Sequence, residues 1–114
     1  MSEQMHLACK EGDIGGYVLL PGDPGRCETI AALLDHPQKI AQNREFVTYT
    51  GSLCGEQVSV CSTGIGGPST AIAVEELHAL GAHTLLRIGT CGGIQPFVQA
   101  GDLILASAAV RQDG

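Results

Sequence analysis

Three apolar segments of this sequence each run directly into a glycine-rich turn, and this recurrence constrains the fold more than any other feature. The segments with their turns are 17–20 with 22–25, 58–62 with 64–67, and 84–88 with 89–93. Short apolar runs bounded by glycine and proline are typical of buried strands. Open α/β sheets bind ligands at the carboxyl ends of their strands, so we expect the three turns to meet in one crevice.

Helical spacing follows the first turn. Asp23 can act as an N-cap, with Pro24 at the first helical position. The apolar residues that then recur at i, i+3, i+4 and i+7 are Cys27, Ile30, Ala31 and Leu34. The pattern predicts a helix with one apolar face directly after the first strand.

A second helix is predicted after the turn at 64–67, and Gly81 is a natural end for it. Its apolar side would carry Ala73, Val74, Leu77 and Leu80. Glu75 and Glu76 would lie on the opposite, solvated side.

The rest of the chain reads as strands. Segments 39–43 and 46–53 and a turn at 54–56 predict a hairpin-like region, and residues 103–110 predict a fourth long apolar strand. The order indicates an α/β fold with a mixed, largely parallel sheet flanked by helices. Because no helix covers the last apolar strand, we expect residues 1–114 to be a truncated, N-terminal part of a single domain. A partner in an oligomer could cover the same surface.

Charge and composition exclude several classes of function. The chain has 12 acidic and 6 basic residues and a net charge of -6, which disfavours nucleic acid as a partner. Its apolar runs are far shorter than the roughly 18 residues of a membrane span, and we expect no membrane partner. The five cysteines are scattered, so we expect reduced thiols and a cytoplasmic protein rather than a disulfide framework or a structural metal site.

The glycine turns favour an anionic ligand. Glycine lets a ligand approach the backbone, and the N–H groups at the start of a helix attract negative charge. Only four arginines are present, and Arg26 and Arg87 lie in or beside these turns, while Arg44 precedes a strand. Together they predict an oxyanion clamp and hence phosphate binding. Each arginine taken alone could equally be a solvated or salt-bridged residue.

Several residues keep simpler interpretations. The turn at 64–69 lacks the third glycine of G-x-G-x-x-G, so dinucleotide binding is weakly supported. Ser69 could be an ordinary helix cap, and Glu45 could pair with its neighbour Arg44. His6 could be a mobile terminal residue, and Cys91 a small buried side chain rather than a redox thiol. His78 and His83 are expected to face solvent.

Four motifs in the same order resemble the nucleoside phosphorylase family. They are PGDPGR at 21–26, REF at 44–46, CSTGIGGPST at 61–70 and LRIGTCG at 86–92. The resemblance runs from about residue 6 to residue 114. The third motif, followed by AVEEL at 73–77, is more similar to the uridine branch of the family than to its bacterial purine branch.

The resemblance implies roles for individual residues. The set implied for phosphate is Gly22, Arg26, Arg87, Ile88, Gly89 and Thr90, with Arg44 reaching the phosphate of a neighbouring subunit. The set implied for the nucleoside is His6, Thr90, Cys91 and Gly92, with His6 crossing a dimer interface to the ribose 5'-hydroxyl. Glu45, the carbonyl of Ile65 and Ser69 would hold a structural potassium or sodium ion between subunits.

The reaction implied is reversible phosphorolysis of uridine to uracil and ribose 1-phosphate, with a purine nucleoside as the alternative substrate. No cofactor is required, no catalytic residue is assigned, and a homo-oligomer, a hexamer built from dimers, is implied. The resemblance also implies that the complete proteins are roughly twice as long as this chain, and that the residues that hold the base and the stretch that holds the ribose hydroxyls lie beyond Gly114, apart from the set named above. We therefore expect little activity from residues 1–114 alone, and a non-catalytic phosphate-binding module remains the alternative from another class.

Overall fold

The computed structural model describes residues 2–113, which form five β-strands and two α-helices. In chain order these are β1 (Tyr17–Leu20), α1 (Gly25–Ala31), β2 (Asp35–Asn43), β3 (Phe46–Leu53), β4 (Glu56–Cys61), α2 (Gly67–Ala79) and β5 (Thr84–Arg87). Among the described residues, no helix is both long enough and apolar enough to cross a membrane.

The strands form one sheet in the order β2-β3-β4-β1-β5. β1 pairs in parallel with β4 and β5, whereas β3 pairs antiparallel with β2 and β4. This confirms the prediction of a mixed α/β sheet. The parallel pairings bring the carboxyl ends of β1, β4 and β5, and the turns that follow them, to the same edge.

The two helices cover opposite faces of the sheet. Alternation along β4 decides this, because Val60 packs with Cys27 and Ala31 of α1, whereas Cys61 packs in the cluster that contains Ala73 and Leu77 of α2. Successive side chains of a strand point to opposite faces, so a strand buried on both sides reads as a continuous apolar run. The sheet is therefore flanked by helices as predicted.

Helix α1 is shorter than its apolar spacing predicts. It ends at Ala31, and Leu34 is buried from a turn rather than from the helix. The helix cannot continue because strand β2 begins directly after that turn, where Asp35 already pairs with Ser52 of β3. At the other end, the predicted cap is wrong by one residue, because Pro24 is the N-cap and Gly25 the first helical residue. The Asp23 carboxylate still accepts the Gly25 N–H, at 2.9 Å.

Strand β2 begins at Asp35, four residues earlier than predicted, and lies at the edge of the sheet. It contains Pro37, which has no N–H to donate. Its register with β3 shifts between Asp35 and Gln38 and again between Lys39 and Ala41. A strand at the edge of a sheet tolerates both a proline and bulges. Because these features are not typical of a strand pattern, the first residues of β2 are hard to recognise from the sequence.

Helix α2 ends as predicted, but one of its faces was assigned incorrectly. The N–H groups of Gly81 and Ala82 donate to the carbonyls of His78 and Leu77, and Gly81 has a φ of +103°, so the end is a Schellman motif. Glu76 was expected on the solvated side, whereas its side chain is only 13% exposed. Position 76 belongs to the buried helical repeat 73, 76, 77 and 80.

The predicted strand at residues 103–110 is wrong for this structure. Residues 88–113 contain no helix or strand, and Leu103 and Leu105 are 99% and 91% exposed. A strand needs a neighbour for its backbone groups, and within residues 2–113 β5 pairs only with β1. The apolar pattern correctly marks a segment suited to burial, but the described part of the chain supplies nothing to cover it.

Candidate functional site

The three glycine turns meet through backbone hydrogen bonds. The carbonyl of Leu20, at the end of β1, accepts the amide of Ile88 at 3.1 Å. The carbonyls of Pro21 and Gly22 accept the amides of Thr63 and Gly64, each at 3.0 Å. The parallel ladder thus continues past the strand ends, and the turns converge as the sequence predicts.

A cleft of about 1040 Å³ opens at this edge of the sheet. Seven of the residues singled out from the sequence line it: Gly22, Arg26, Glu45, Ile65, Arg87, Gly89 and Thr90. The start of helix α2 forms another part of its wall through Gly66 and Gly67. The cleft therefore combines two guanidinium groups and the amino-terminal end of a 13-residue helix, which attract an oxyanion, with four carboxylates, those of Asp23, Glu45, Glu75 and Asp113, which are suited to cations and hydroxyl groups.

Arg87 is oriented by the backbone of the turns. Its Nη1 donates to the carbonyl of Leu20 at 3.3 Å and to the carbonyl of Ile88. A Cβ placed on Gly89 would lie 2.7 Å from Nη1, and one placed on Gly22 would lie 3.4 Å from Nη2. Glycine at position 89 therefore leaves the space that the guanidinium occupies.

Arg26 reaches the cleft from the first turn of α1. Its amide donates to the carbonyl of Asp23 at 3.1 Å, so the PGDPGR turn and the helix are continuous. The residue is exposed, and its side chain lines the cleft together with Asp23 and Arg87. A planar guanidinium group can bind two oxygens of one phosphate group.

Arg44 lies outside this cleft. It occupies the tight turn between β2 and β3 with a φ of +52°, and its side chain is exposed. The next residue, Glu45, does line the cleft. Arg44 therefore does not contribute to the cleft of its own chain, and its role at the phosphate of a neighbouring subunit stays a prediction.

The predicted cation ligands lie along one loop and the hairpin beside it. The Ser69 hydroxyl donates to the carbonyls of Ile65 and Gly66, both at 3.2 Å. The side chain of Glu45 packs on Gly64, where an added Cβ would lie 2.5 Å from Glu45 Cγ. A carboxylate, a carbonyl and a hydroxyl are oxygen donors suited to a hard cation such as sodium or potassium, so the residues fit the ion.

The simpler interpretation of Ser69 as a helix cap is wrong. The N-cap of α2 is Gly66, with a φ of +110° and no side-chain capping bond, and Pro68 lies in the first turn. Ser69 is the third helical residue, and its hydroxyl bonds backward to carbonyls rather than to free N–H groups. Its lone pairs remain available to a ligand.

The residues implied for the nucleoside are divided in this structure. Thr90 lines the cleft, whereas Cys91 borders a separate pocket of about 370 Å³ with Gly93 and Val98. Cys91 is exposed, so its interpretation as a small buried side chain is wrong: the turn that carries it has no element packed over it within the described residues. A Cβ placed on Gly92 would meet nothing within 4 Å. The amide of Ile88 is bonded to Leu20, so Ile88 supports the turn without lining the cleft.

His6 is fixed rather than mobile, which corrects one of the simpler interpretations. Its Nδ1 lies 2.7 Å from Oε1 of Glu76, and its carbonyl accepts a hydrogen bond from Asn43 Nδ2 at 2.8 Å. Leu7, directly after it, is fully buried. His6 lies outside the cleft, and its role across a dimer interface stays a prediction.

The sequence reasoning did not assign Asp23, Glu75 and Asp113 to the cleft, although all three line it, and it also missed the contact made by Glu76 outside the cleft. Asp113 lines the cleft, where its Oδ2 would lie 3.2 Å from a Cβ on Gly67, and its Oδ1 accepts Arg111 Nε at 2.7 Å. No local pattern marks that contact. Glu76 is different, because its place in the buried repeat of α2 was a usable signal.

The cysteines do not contribute a nucleophile to the cleft. Burial raises the pKa of the Cys9, Cys27 and Cys61 thiols, that of Cys61 to about 12, so all three stay protonated at neutral pH. Cys54 and Cys91 are exposed, and all five cysteines are free, as predicted.

Comparison with known proteins identifies the family. The sequence profile of the phosphorylase superfamily matches residues 17–114. The uridine phosphorylase of Treponema pallidum (strain Nichols) is 59% identical over 111 residues, which are 97% of this chain and 43% of that protein. The uridine phosphorylase of Escherichia coli (strain K12) is 55% identical over 115 residues, which are 99% of this chain and 46% of that protein.

A purine-directed relative and a solved structure also match. The guanosine phosphorylase of Halorubrum lacusprofundi is 46% identical over 114 residues, covering 100% of this chain and 47% of that protein. The crystal structure of uridine phosphorylase from Vibrio fischeri ES114 superposes with a TM-score of 0.85 at 40% identity, covering 90% of this chain and 43% of that one. The chain thus spans less than half the length of these relatives. With this profile match, the shared fold and these identities, the chain belongs to the phosphorylase superfamily.

Proposed function

We propose that this chain is the N-terminal part of a uridine phosphorylase, a single-domain enzyme that converts uridine and phosphate reversibly into uracil and ribose 1-phosphate. The observation that carries the proposal is the convergence of three glycine turns on one cleft that holds Arg26 and Arg87. Relatives named uridine phosphorylase, at 55–59% identity over nearly the whole chain, support the substrate.

In the proposed reaction, inorganic phosphate attacks C1' of the nucleoside while the bond from C1' to the base breaks. Arg26 and Arg87 would hold the anion by charge-assisted hydrogen bonds without forming a covalent bond to it. Arg44 of a neighbouring subunit would supply a third guanidinium. Positioning and preorganised electrostatics account for the rate, because donors fixed by the turns need not reorganise as charge moves from phosphate to base.

The proposal extends to assembly and location. Glu45, Ile65 and Ser69 would bind a sodium or potassium ion at a subunit interface, and dimers would combine into a homohexamer. The oxygen-donor set around Gly64 and the exposed Arg44 support this arrangement. Five free cysteines support a cytoplasmic location.

Guanosine is the second candidate substrate, because a guanosine phosphorylase matches the whole chain at 46% identity. The test supplies the protein purified from its source with uridine or guanosine, each with and without phosphate. Uridine cleavage that requires phosphate supports the proposal. Cleavage of guanosine but not of uridine would show that the enzyme acts on purine nucleosides instead. Binding of phosphate without turnover of either nucleoside would indicate a non-catalytic module.

A further inference from the structure

The carboxylate of Glu76 gathers the N-terminal segment onto helix α2. Its Oε1 accepts the His6 amide at 3.0 Å and lies 2.7 Å from His6 Nδ1. Its Oε2 accepts the Leu7 amide at 2.8 Å and lies 3.2 Å from the His6 amide. One carboxylate thus bonds two consecutive backbone amides and one imidazole, more donors than any other side chain of the described chain receives.

The charge of Glu76 determines which hydrogen-bonding role His6 takes. Burial tends to raise the pKa of Glu76, but the bonds from the Leu7 amide and from His6 outweigh burial and lower it. Glu76 is therefore ionised at neutral pH and can only accept. His6 Nδ1 must then carry a proton, and in the neutral ring Nε2 is the acceptor.

Neighbouring contacts hold the backbone of His6 in place. Asn43 Nδ2 donates to the His6 carbonyl at 2.8 Å, and Leu7 and Cys9 are fully buried. The imidazole side chain is 33% exposed, and its one hydrogen bond within the described chain is made by Nδ1. His6 is thus held from β2 and α2, and its Nε2 has no hydrogen-bond partner within residues 2–113.

We propose that Glu76 is a positioning residue for His6: it locks the imidazole in its Nδ1-protonated form and presents Nε2 as the acceptor for a ribose hydroxyl of the nucleoside. The inference rests on the proposed function, which assigns the nucleoside to His6. In histidines generally, the hydrogen-bond partner of one ring nitrogen determines whether the other nitrogen donates or accepts.

A nuclear magnetic resonance measurement tests the lock without requiring activity. Long-range proton–nitrogen spectra of the protein distinguish the two tautomers, and the His6 signals are those lost in His6→Ala among the four histidines. We expect neutral His6 to carry its proton on Nδ1, and Glu76→Gln to convert it to a mixture or to the Nε2 form. Glu28→Gln, at an exposed position of α1, is the matched control and should leave the signals unchanged. A wild-type His6 protonated on Nε2 overturns the inference, and this outcome does not depend on whether Glu76→Gln folds.

Kinetics of the complete protein test the consequence. Glu76→Gln should raise KM for the nucleoside about tenfold, as loss of one hydrogen bond would, with KM for phosphate unchanged. In the His6→Ala background the same substitution should add nothing, because its effect passes through His6. Additive effects of the two substitutions, or equal increases in KM for the nucleoside and for phosphate, would show that Glu76 has only a structural role and would overturn the proposal. A protein that does not cleave nucleosides would refute the proposed function, and the tautomer measurement would still decide the His6–Glu76 relationship.

Discussion

The amide of Gly64 donates to the carbonyl of Gly22 at 3.0 Å, so the first two glycine turns are joined backbone to backbone. Arg26 follows one of these turns and Ile65 follows Gly64 in the other. The relative position of these two stretches of backbone is consequently set by the sheet, whose ladder this bond extends. A site built in this way is preorganised for its anion.

Arg87→Ala should weaken phosphate binding by about 10- to 100-fold, because it removes charge-assisted hydrogen bonds to the anion. Arg87→Lys should recover only part of the affinity, since an ammonium group cannot bind two oxygens in a planar fork. Isothermal titration with inorganic phosphate measures both effects. Lys39→Ala, on the opposite edge strand β2, removes one positive charge and should change the affinity by less than about twofold. Equal losses in the Arg87 and Lys39 variants would show that the effect is only one of net charge.

Gly64→Ala should cost more stability than Gly55→Ala, although both glycines have a left-handed φ, of +71° and +82°. An alanine at either position carries the same kind of backbone strain, about 1 kcal/mol. Only at Gly64 does the new Cβ meet another group, Glu45 Cγ at 2.5 Å, whereas at Gly55 it meets nothing within 4 Å. Urea unfolding of the two variants gives the difference. Equal losses would mean that Glu45 moves aside without cost and that its position by the loop is not fixed.

Leu77→Ala should lower the free energy of unfolding by about 2–5 kcal/mol, because Leu77 is fully buried between α2 and the sheet. Leu33→Ala makes the same chemical change at a side chain that is 81% exposed and should cost less than about 0.5 kcal/mol. Chemical denaturation monitored by circular dichroism compares the two. A Leu77 variant as stable as the Leu33 variant would contradict the packing of α2 described above.

A thiol reagent applied at neutral pH should modify Cys54 and Cys91 and spare Cys9, Cys27 and Cys61 until the protein unfolds. Burial raises the pKa of Cys61 from 9.0 to about 12, so the folded protein retains a proton that the unfolded chain has lost between those values. The folded state then binds more protons, and stability should fall as pH rises from about 9 to about 12. Mass spectrometry counts the modified thiols, and rapid labelling of all five in the native protein would refute the burial assigned to three of them.

Local patterns predict most of this fold because they report burial. The run at 17–20 lies between β4 and β5, and the glycine turns follow strands whose parallel pairing brings their ends together. The same patterns fail where burial depends on a distant partner. Leu34 is apolar in helical spacing yet is buried from a turn, and residues 103–110 are apolar but exposed in the described chain.

The site divides along a similar line. Arg26, Arg87 and Thr90 stand in turns that the sheet topology gathers, so their place in one cleft could be expected from the sequence. The contact between His6 and Glu76 joins residues 70 positions apart, and no local rule pairs them. Asp113 reaches the cleft from a segment without regular structure, where periodicity carries no information.

The most direct test of the central claim is the product of uridine cleavage by the protein purified from its source, measured with and without inorganic phosphate. We predict uracil and ribose 1-phosphate in equal amounts when phosphate is present, and no uracil when it is omitted. The intact mass of the same sample should exceed twice that of residues 1–114, in line with the 43–46% of the uridine phosphorylases that the chain covers. Uracil released together with free ribose in the absence of phosphate would contradict the claim, because Arg26 and Arg87 would then have no phosphate to hold.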